Sequence, residues 1–182
     1  MASVAHKRRV QSLEAALRGQ LVAEDDHALA SDPALIFARM GMEPDPWQAD
    51  LLRTQPQRAL LLCTRQAGKS TATAAMACHA AIYNPGSLTL ILAPAQRQSG
   101  ELFRKVLDFY NALGQPVPAD STTALQLHLA NGSRIIALPG KEATLRGYSG
   151  VNLLLIDEAA RVEDALYFSV LPMLAVSGGW WP

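Results

Sequence analysis

Aromatic residues make up only 6% of this 182-residue chain. Its core must therefore be aliphatic, built from Leu, Ala, Val and Ile. Cysteine is nearly absent. Cys63 and Cys78 offer neither a disulfide framework nor metal-ligand spacing, and such usage suits a reduced, cytosolic protein. Charge of either sign is not in excess: 16 Lys and Arg balance 16 Asp and Glu, which excludes a global basic field of the kind that draws nucleic acid. No run is long and apolar enough to cross a bilayer, so no membrane partner is expected. The stretch at His6-Lys7-Arg8-Arg9 is not followed by an apolar segment of signal-peptide type. What is present is an apolar fraction of 49% and a charged fraction of 18%, the balance of an ordinary globular domain. The length suffices for one domain with a real core.

The chain is organised around Cys63-Thr64-Arg65-Gln66-Ala67-Gly68-Lys69-Ser70. It follows the apolar run Ala59-Leu60-Leu61-Leu62 and opens a small-residue helix from Thr71. Strand, tight loop and a helix headed by Gly-Lys-Ser is the context of a phosphate-binding loop. Loop N–H groups and the positive end of the helix converge there on an anion. Lys69 then pairs with β- and γ-phosphate oxygens of ATP, and the Ser70 hydroxyl meets Mg²⁺. Cys63 stands where the first glycine of the motif is expected.

Before the loop, Val10, Leu13, Leu17 and Leu21 recur at helical spacing, predicting an amphipathic helix over 4–22. Glu24-Asp25-Asp26-His27 reads as an exposed acidic break, and Ser31-Asp32-Pro33 as the cap of a short helix through Met40. Pro44-Asp45-Pro46-Trp47-Gln48 precedes an apolar helix over 49–53. Gln48 offers a donor and an acceptor that suit an adenine edge, with Trp47 as its wall. The alternative is a Pro-rich turn anchored by a buried tryptophan.

After the loop, the Ala-rich helix to Tyr83 lacks a polar face and suits burial against a sheet. His79 within it reads as a packed histidine rather than a ligand. A buried parallel strand is predicted at 88–93. An amphipathic helix carrying Leu102, Phe103, Val106, Leu107, Tyr110 and Leu113 follows, ended by Gly114; a Pro-containing loop spans 115–123. Strict alternation at 125–129, then Asn131-Gly132, then 134–138 reads as a hairpin. A mobile-looking loop over 144–150 carries Arg146. The run 151–156 is a strand that ends in Asp157-Glu158, placing an acid at the top of the sheet beside the loop. Asp157 then holds Mg²⁺ through its water shell, and Glu158 polarises the attacking water as general base. A helix over 162–174, broken near Pro172, and a turn at 177–179 lead to Trp180-Trp181-Pro182.

In this order the features resemble the N-terminal ATPase domain of the large terminase subunit of tailed bacteriophages. The resemblance rests on residues 44–48, 64–71, Leu92-Ala93-Pro94, Arg146-Gly147 and 154–160, and spans roughly 32–179. It implies an α/β P-loop NTPase: a RecA-like, mostly parallel sheet flanked by helices, with an added β-hairpin. Residues 1–30 are then an N-terminal helix and linker, and 31–182 an ATPase domain incomplete at its C-terminal end, without the nuclease domain and without the coupling strand that follows in the family. The activity implied is Mg²⁺-dependent ATP hydrolysis that drives double-stranded DNA into a procapsid, with no nuclease activity expected.

The ATP contacts implied are Gln48, Thr64, Arg65, Gln66, Ala67, Gly68, Lys69, Ser70 and Thr71, with Ser70 and Asp157 at the metal. Glu158, Arg65 and Arg146 are the catalytic set. Arg65 reaches the γ-phosphate from within the loop. Arg146 stands where related motors place an arginine for a neighbouring subunit's ATP, or else forms a loop salt bridge. The family tolerates loss of the first loop glycine. Implied partners are DNA, a portal protein, a small terminase subunit and further copies in a ring. The implied location is the cytoplasm of a bacterial host, from a phage or prophage gene. Two readings compete: an inactive prophage remnant and a helicase-like DNA-dependent ATPase, which needs a second RecA-like domain.

Overall fold

A computed structural model describes residues 25–139 and 147–175. The helix expected at 4–22, Arg146, the turn at 177–179 and the final tryptophans lie outside the described residues. Residues 25–31 are helical (α1), where an acidic break was expected. Leu29 is the apolar anchor of these otherwise exposed two turns. The Asp32 side chain accepts the Ala34 N–H at 3.0 Å and caps a 3-10 turn, Pro33–Leu35, that runs into α2 (Ile36–Arg39). Arg53 grips the same carboxylate through two nitrogens, the shorter contact being 2.8 Å, and holds it below the usual carboxylate range.

Helix α3 (Pro46–Thr54) begins three residues before the expected start, with Pro46 in its first turn, where a missing N–H costs nothing. Helix α4 (Lys69–Tyr83) follows the loop as expected, with Ala72, Ala74, Ala75, Ala77 and Ala81 buried. Strand β1 (Leu88–Ala93) is buried throughout. Helix α5 (Gln96–Ala112) packs on α4 and β1. Three further strands, β2 (Ala119–Thr122), β3 (Gln126–Leu129) and β4 (Arg134–Pro139), precede β5 (Leu153–Ile156). A 3-10 turn, Ala159–Arg161, leads to α6 (Asp164–Ala175), which runs through Pro172 without the expected break.

The sheet order is β2-β3-β4-β1-β5. β4 and β5 flank β1 in parallel, while β3 joins β4 and β2 joins β3 antiparallel. Alternation along β1 sends Leu88, Leu90 and Leu92 to one apolar layer with Leu166 and Val170 of α6. Ile91 joins the larger layer beneath α4 and α5 with Ile135, Ala137 and Leu155. Two further expectations fail. The loop over 115–123 contains β2, an edge strand exposed at every position, which carries no hydrophobic period to reveal it. The run Ala59–Leu62 is not a strand: apolar character alone does not make one without a neighbour to bond.

The Asn131-Gly132 turn does more than reverse the chain. Asn131 Nδ2 donates to the Ala81 and Ile82 carbonyls at 2.9 and 3.2 Å, and Ser133 Oγ donates to the Asn84 carbonyl at 3.0 Å. These bonds satisfy the acceptors that a helix C-terminus leaves open and pin that end of α4 at the start of β1. α4 therefore runs antiparallel to β1, and Lys69 lies at the same end of the sheet as the C-termini of β1 and β5.

His79 ties α1 to α4. It is 5% exposed, its Nε2 lies 3.0 Å from the Leu29 carbonyl, and its ring meets that of Tyr83 at a tilt of 39°, centroids 4.6 Å apart. Tyr83 in turn donates to Asp26 at 2.8 Å. Burial pushes the imidazole pKa down. As pH falls below about 6.5, the unfolded chain takes up a proton that folded His79 resists, so stability is full above that pH and is lost below it. The melting temperature should drop between pH 7 and 5, and His79→Gln should flatten that slope. A slope unchanged by the substitution would remove His79 as its cause.

Candidate functional site

The loop between α3 and α4 is built on left-handed backbone. Gln66 and Gly68 have φ of 64° and 77°, and such a two-residue alternation turns successive N–H groups toward one point. Among the described residues, the N–H groups of Gly68, Lys69 and Ser70 meet no acceptor, whereas Thr71 and Ala72 both donate to the Gly68 carbonyl at 3.0 Å. The open donors and the helix dipole thus share one focus.

The Lys69 side chain turns back on the loop that precedes it. Its Nζ donates to the carbonyls of Cys63 and Thr64 at 2.9 and 2.8 Å. These are neutral acceptors at an exposed loop, and a phosphate is a better partner for an ammonium. Thr64, Arg65 and Gln66 are exposed, and Ala67, Gly68, Lys69, Ser70 and Thr71 are half-buried.

Gln48 is 5% exposed and reaches this loop from α3. Its Oε1 accepts the Asp45 N–H at 2.8 Å and its Nε2 donates to the Gly68 carbonyl at 3.2 Å. The φ of Gly68 favours glycine here, and a Cβ on it, standing 2.3 Å from Nε2, would also push the Gln48 amide aside. The amide braces the loop; one Nε2 proton and one Oε1 lone pair remain for a base edge. Sequence spacing alone could not show this brace, which closes a separation of twenty residues.

At the end of β5, the Asp157 N–H donates to the Leu92 carbonyl of β1 at 2.8 Å, fixing this residue to the sheet. Asp157 Oδ1 accepts the Glu158 N–H at 3.0 Å. Glu158 adopts φ 51°, and its carboxylate meets Arg161 at 3.1 Å. Arg161 went unnoticed in the sequence, although its spacing of three after Glu158 is the available signal. The structure thus brings the Gly68–Ser70 turn and Asp157-Glu158 to one end of the sheet and braces Gln48 against the loop. Arg65 stays exposed, and Arg146 lies outside the described residues.

A nucleoside triphosphate with Mg²⁺ fits this donor set. Among the described residues no cluster of three His, Cys, Asp or Glu could cage a metal. One hydroxyl and one carboxylate, as Ser70 and Asp157 offer, is the kind of sparse protein set that suits Mg²⁺, which keeps several waters and takes phosphate oxygens.

Residues 60–182 match the family profile of "Terminase large subunit, T4likevirus-type, N-terminal". The chain is similar to the terminase large subunit of Thermus virus P23-45, at 26% identity over 163 residues, and to that of Thermus phage G20c, at 28% over 167 residues. Each alignment covers 79% of this chain and 34% of the relative, so the chain spans about a third of the curated relatives' length. The fold is similar to that of the Thermus phage P74-26 large terminase ATPase domain, with a TM-score of 0.70 at 24% identity, over 79% of this chain and 65% of that one.

Proposed function

Because the chain belongs to the family of T4-like-virus terminase large subunits, N-terminal part, we propose that it is the ATP-binding and ATP-hydrolysing portion of a DNA-packaging motor. The observation that carries this reading is the meeting, at one end of one sheet, of an open-donor loop headed by Lys69 and an acid pair fixed to β1. A helix N-terminus alone binds anions; the acids add metal and water chemistry.

The chain's residues divide the work. Entry of a triphosphate draws Lys69 off the Cys63 and Thr64 carbonyls onto the β- and γ-phosphates, and the N–H groups of Gly68, Lys69 and Ser70 hold the oxygens between. Ser70 and Asp157 would hold Mg²⁺, which when bound would supply positive charge to offset that developing on the transferred phosphoryl group. Glu158 leaves Arg161 and accepts a hydrogen bond from the attacking water. It takes that water's proton as the new O–P bond forms and the bond to ADP breaks. Arg65 would offset charge on the γ-phosphoryl from within the loop, and Arg146 would serve the next copy's site around a ring or else form a loop salt bridge. Double-stranded DNA, a portal protein and a small terminase subunit are the partners, in the cytoplasm of a bacterial host.

Titration with a fluorescent ATP analogue tests the reading. Binding should be tighter with Mg²⁺ than with EDTA, and Asp157→Asn should remove most of that difference, roughly tenfold in affinity. Absence of nucleotide binding, or identical binding in Mg²⁺ and EDTA, would refute the proposal.

A further inference from the structure

The turn after β5 is tied at every backbone group that could release Glu158. The Asp157 N–H is bonded to β1, the Asp157 carboxylate accepts the Glu158 N–H at 3.0 Å, and the Arg161 N–H donates to the Glu158 carbonyl at 2.8 Å. With φ 51° and ψ 43°, Glu158 caps the 3-10 turn Ala159–Arg161. Its backbone is held on both sides, and the freedom left to the residue is that of its side chain.

Arg161 engages that side chain, its Nη1 lying 3.1 Å from Glu158 Oε2. Glu163 and Asp164 are as near in the chain, yet the guanidinium pairs with the proposed general base. Arg161 belongs to the connection into α6, which packs on Leu88, Leu90 and Leu92 of β1. Lys69 heads α4, which belongs to the opposite layer. A carboxylate held by the first is drawn away from the second. The pair is also weak enough to give way. Its groups are 69% and 40% exposed, so its hold is roughly fivefold at most, about 1 kcal/mol, and salt screens it.

We propose that Arg161 is a positioning residue that restrains hydrolysis: it withholds Glu158 from the attacking water until a bound triphosphate and that water compete the carboxylate away. The inference rests on the ATP-hydrolysing reading of the site and adds to it a restraint that neither the phosphate loop nor the acid pair requires. Because the backbone around Glu158 is already fixed, release needs only a swing of the side chain, and the turn keeps its shape when Arg161 lets go. The guanidinium touches neither substrate nor reacting atoms; it acts through the carboxylate alone.

Steady-state turnover at saturating MgATP is the first test. Arg161→Gln should raise kcat by roughly two- to fivefold with KM little changed, and Arg161→Lys, which keeps the charge, should stay near the parent. Raising NaCl from about 0.05 to about 0.5 M should lift the parent's kcat toward that of Arg161→Gln, whose own kcat stays flat. The second test needs no turnover. The Arg161 Nε–H signal in a proton–nitrogen correlation spectrum, assigned by its absence from Arg161→Lys, should move when Mg²⁺ and the β,γ-imido analogue of ATP are added. It should reach the position it holds in nucleotide-free Glu158→Gln. An analogue that binds without moving the signal would overturn the restraint and leave the nucleotide site standing. So would a kcat of Arg161→Gln at or below the parent's. An analogue that does not bind at all would refute the ATP reading, and the restraint with it.

Discussion

Glu158→Gln should cut ATP turnover by roughly two to four orders of magnitude while leaving ATP affinity close to that of the parent chain. The amide keeps the shape of the side chain and can still donate to or accept from water, but it cannot take a proton from it. Little else is disturbed. The ion pair with Arg161 is 69% exposed on the arginine side, and pairs so placed contribute little to stability. The left-handed backbone at Glu158 is equally open to glutamine. Phosphate release in steady state, beside a nucleotide titration, separates the two effects. Undiminished turnover would transfer the general-base role to another group.

Lys69→Ala should abolish measurable nucleotide binding, a loss of at least about a hundredfold. Charge-assisted hydrogen bonds contribute about 1.5–3 kcal/mol each, two such bonds are at stake on the phosphates, and each 1.4 kcal/mol is roughly tenfold in affinity. The fold should not feel the change, because Nζ bonds only to two carbonyls of an exposed loop. Calorimetric titration of both proteins with MgATP, alongside thermal melts, checks both parts. Equal binding by the two would sink the assignment of the loop.

Much of this was legible in the sequence because short-range signals coincided with long-range needs. β1 and β5 are apolar runs bounded by turns, and α5 carries a clear apolar stripe. The loop motif and the acid pair each announced chemistry that the fold then had to bring together. What escaped notice depends on contacts distant in the chain. The brace from Gln48 to Gly68 requires knowing how α3 sits on the loop. β2 is polar and exposed, stabilised by backbone pairing that leaves no pattern in side chains. Ala59–Leu62 misled in the opposite direction: its composition is that of a buried strand, but the hydrogen-bond partners that would make it one are not among the described residues. The helix at 25–31 is held by Leu29, by the ion pair of Asp25 with Arg39 and by the reach of Tyr83 to Asp26, none of which an acidic stretch betrays. Pro172 sits inside α6, where Val170 and Leu166 pack on the sheet and outweigh its local preference.

The clamp that Asn131 places on the last carbonyls of α4 has a mechanical consequence. That helix is a rod of fifteen residues, about 22 Å long, with the Gly68–Ser70 turn at one tip and the β3–β4 turn gripping the other. A thrust on Lys69 cannot dissipate by unravelling of the far turn, since those acceptors are already held. A displacement of the Lys69 end would therefore pass, through a helix whose far turn is already tied down, to the β3–β4 hairpin.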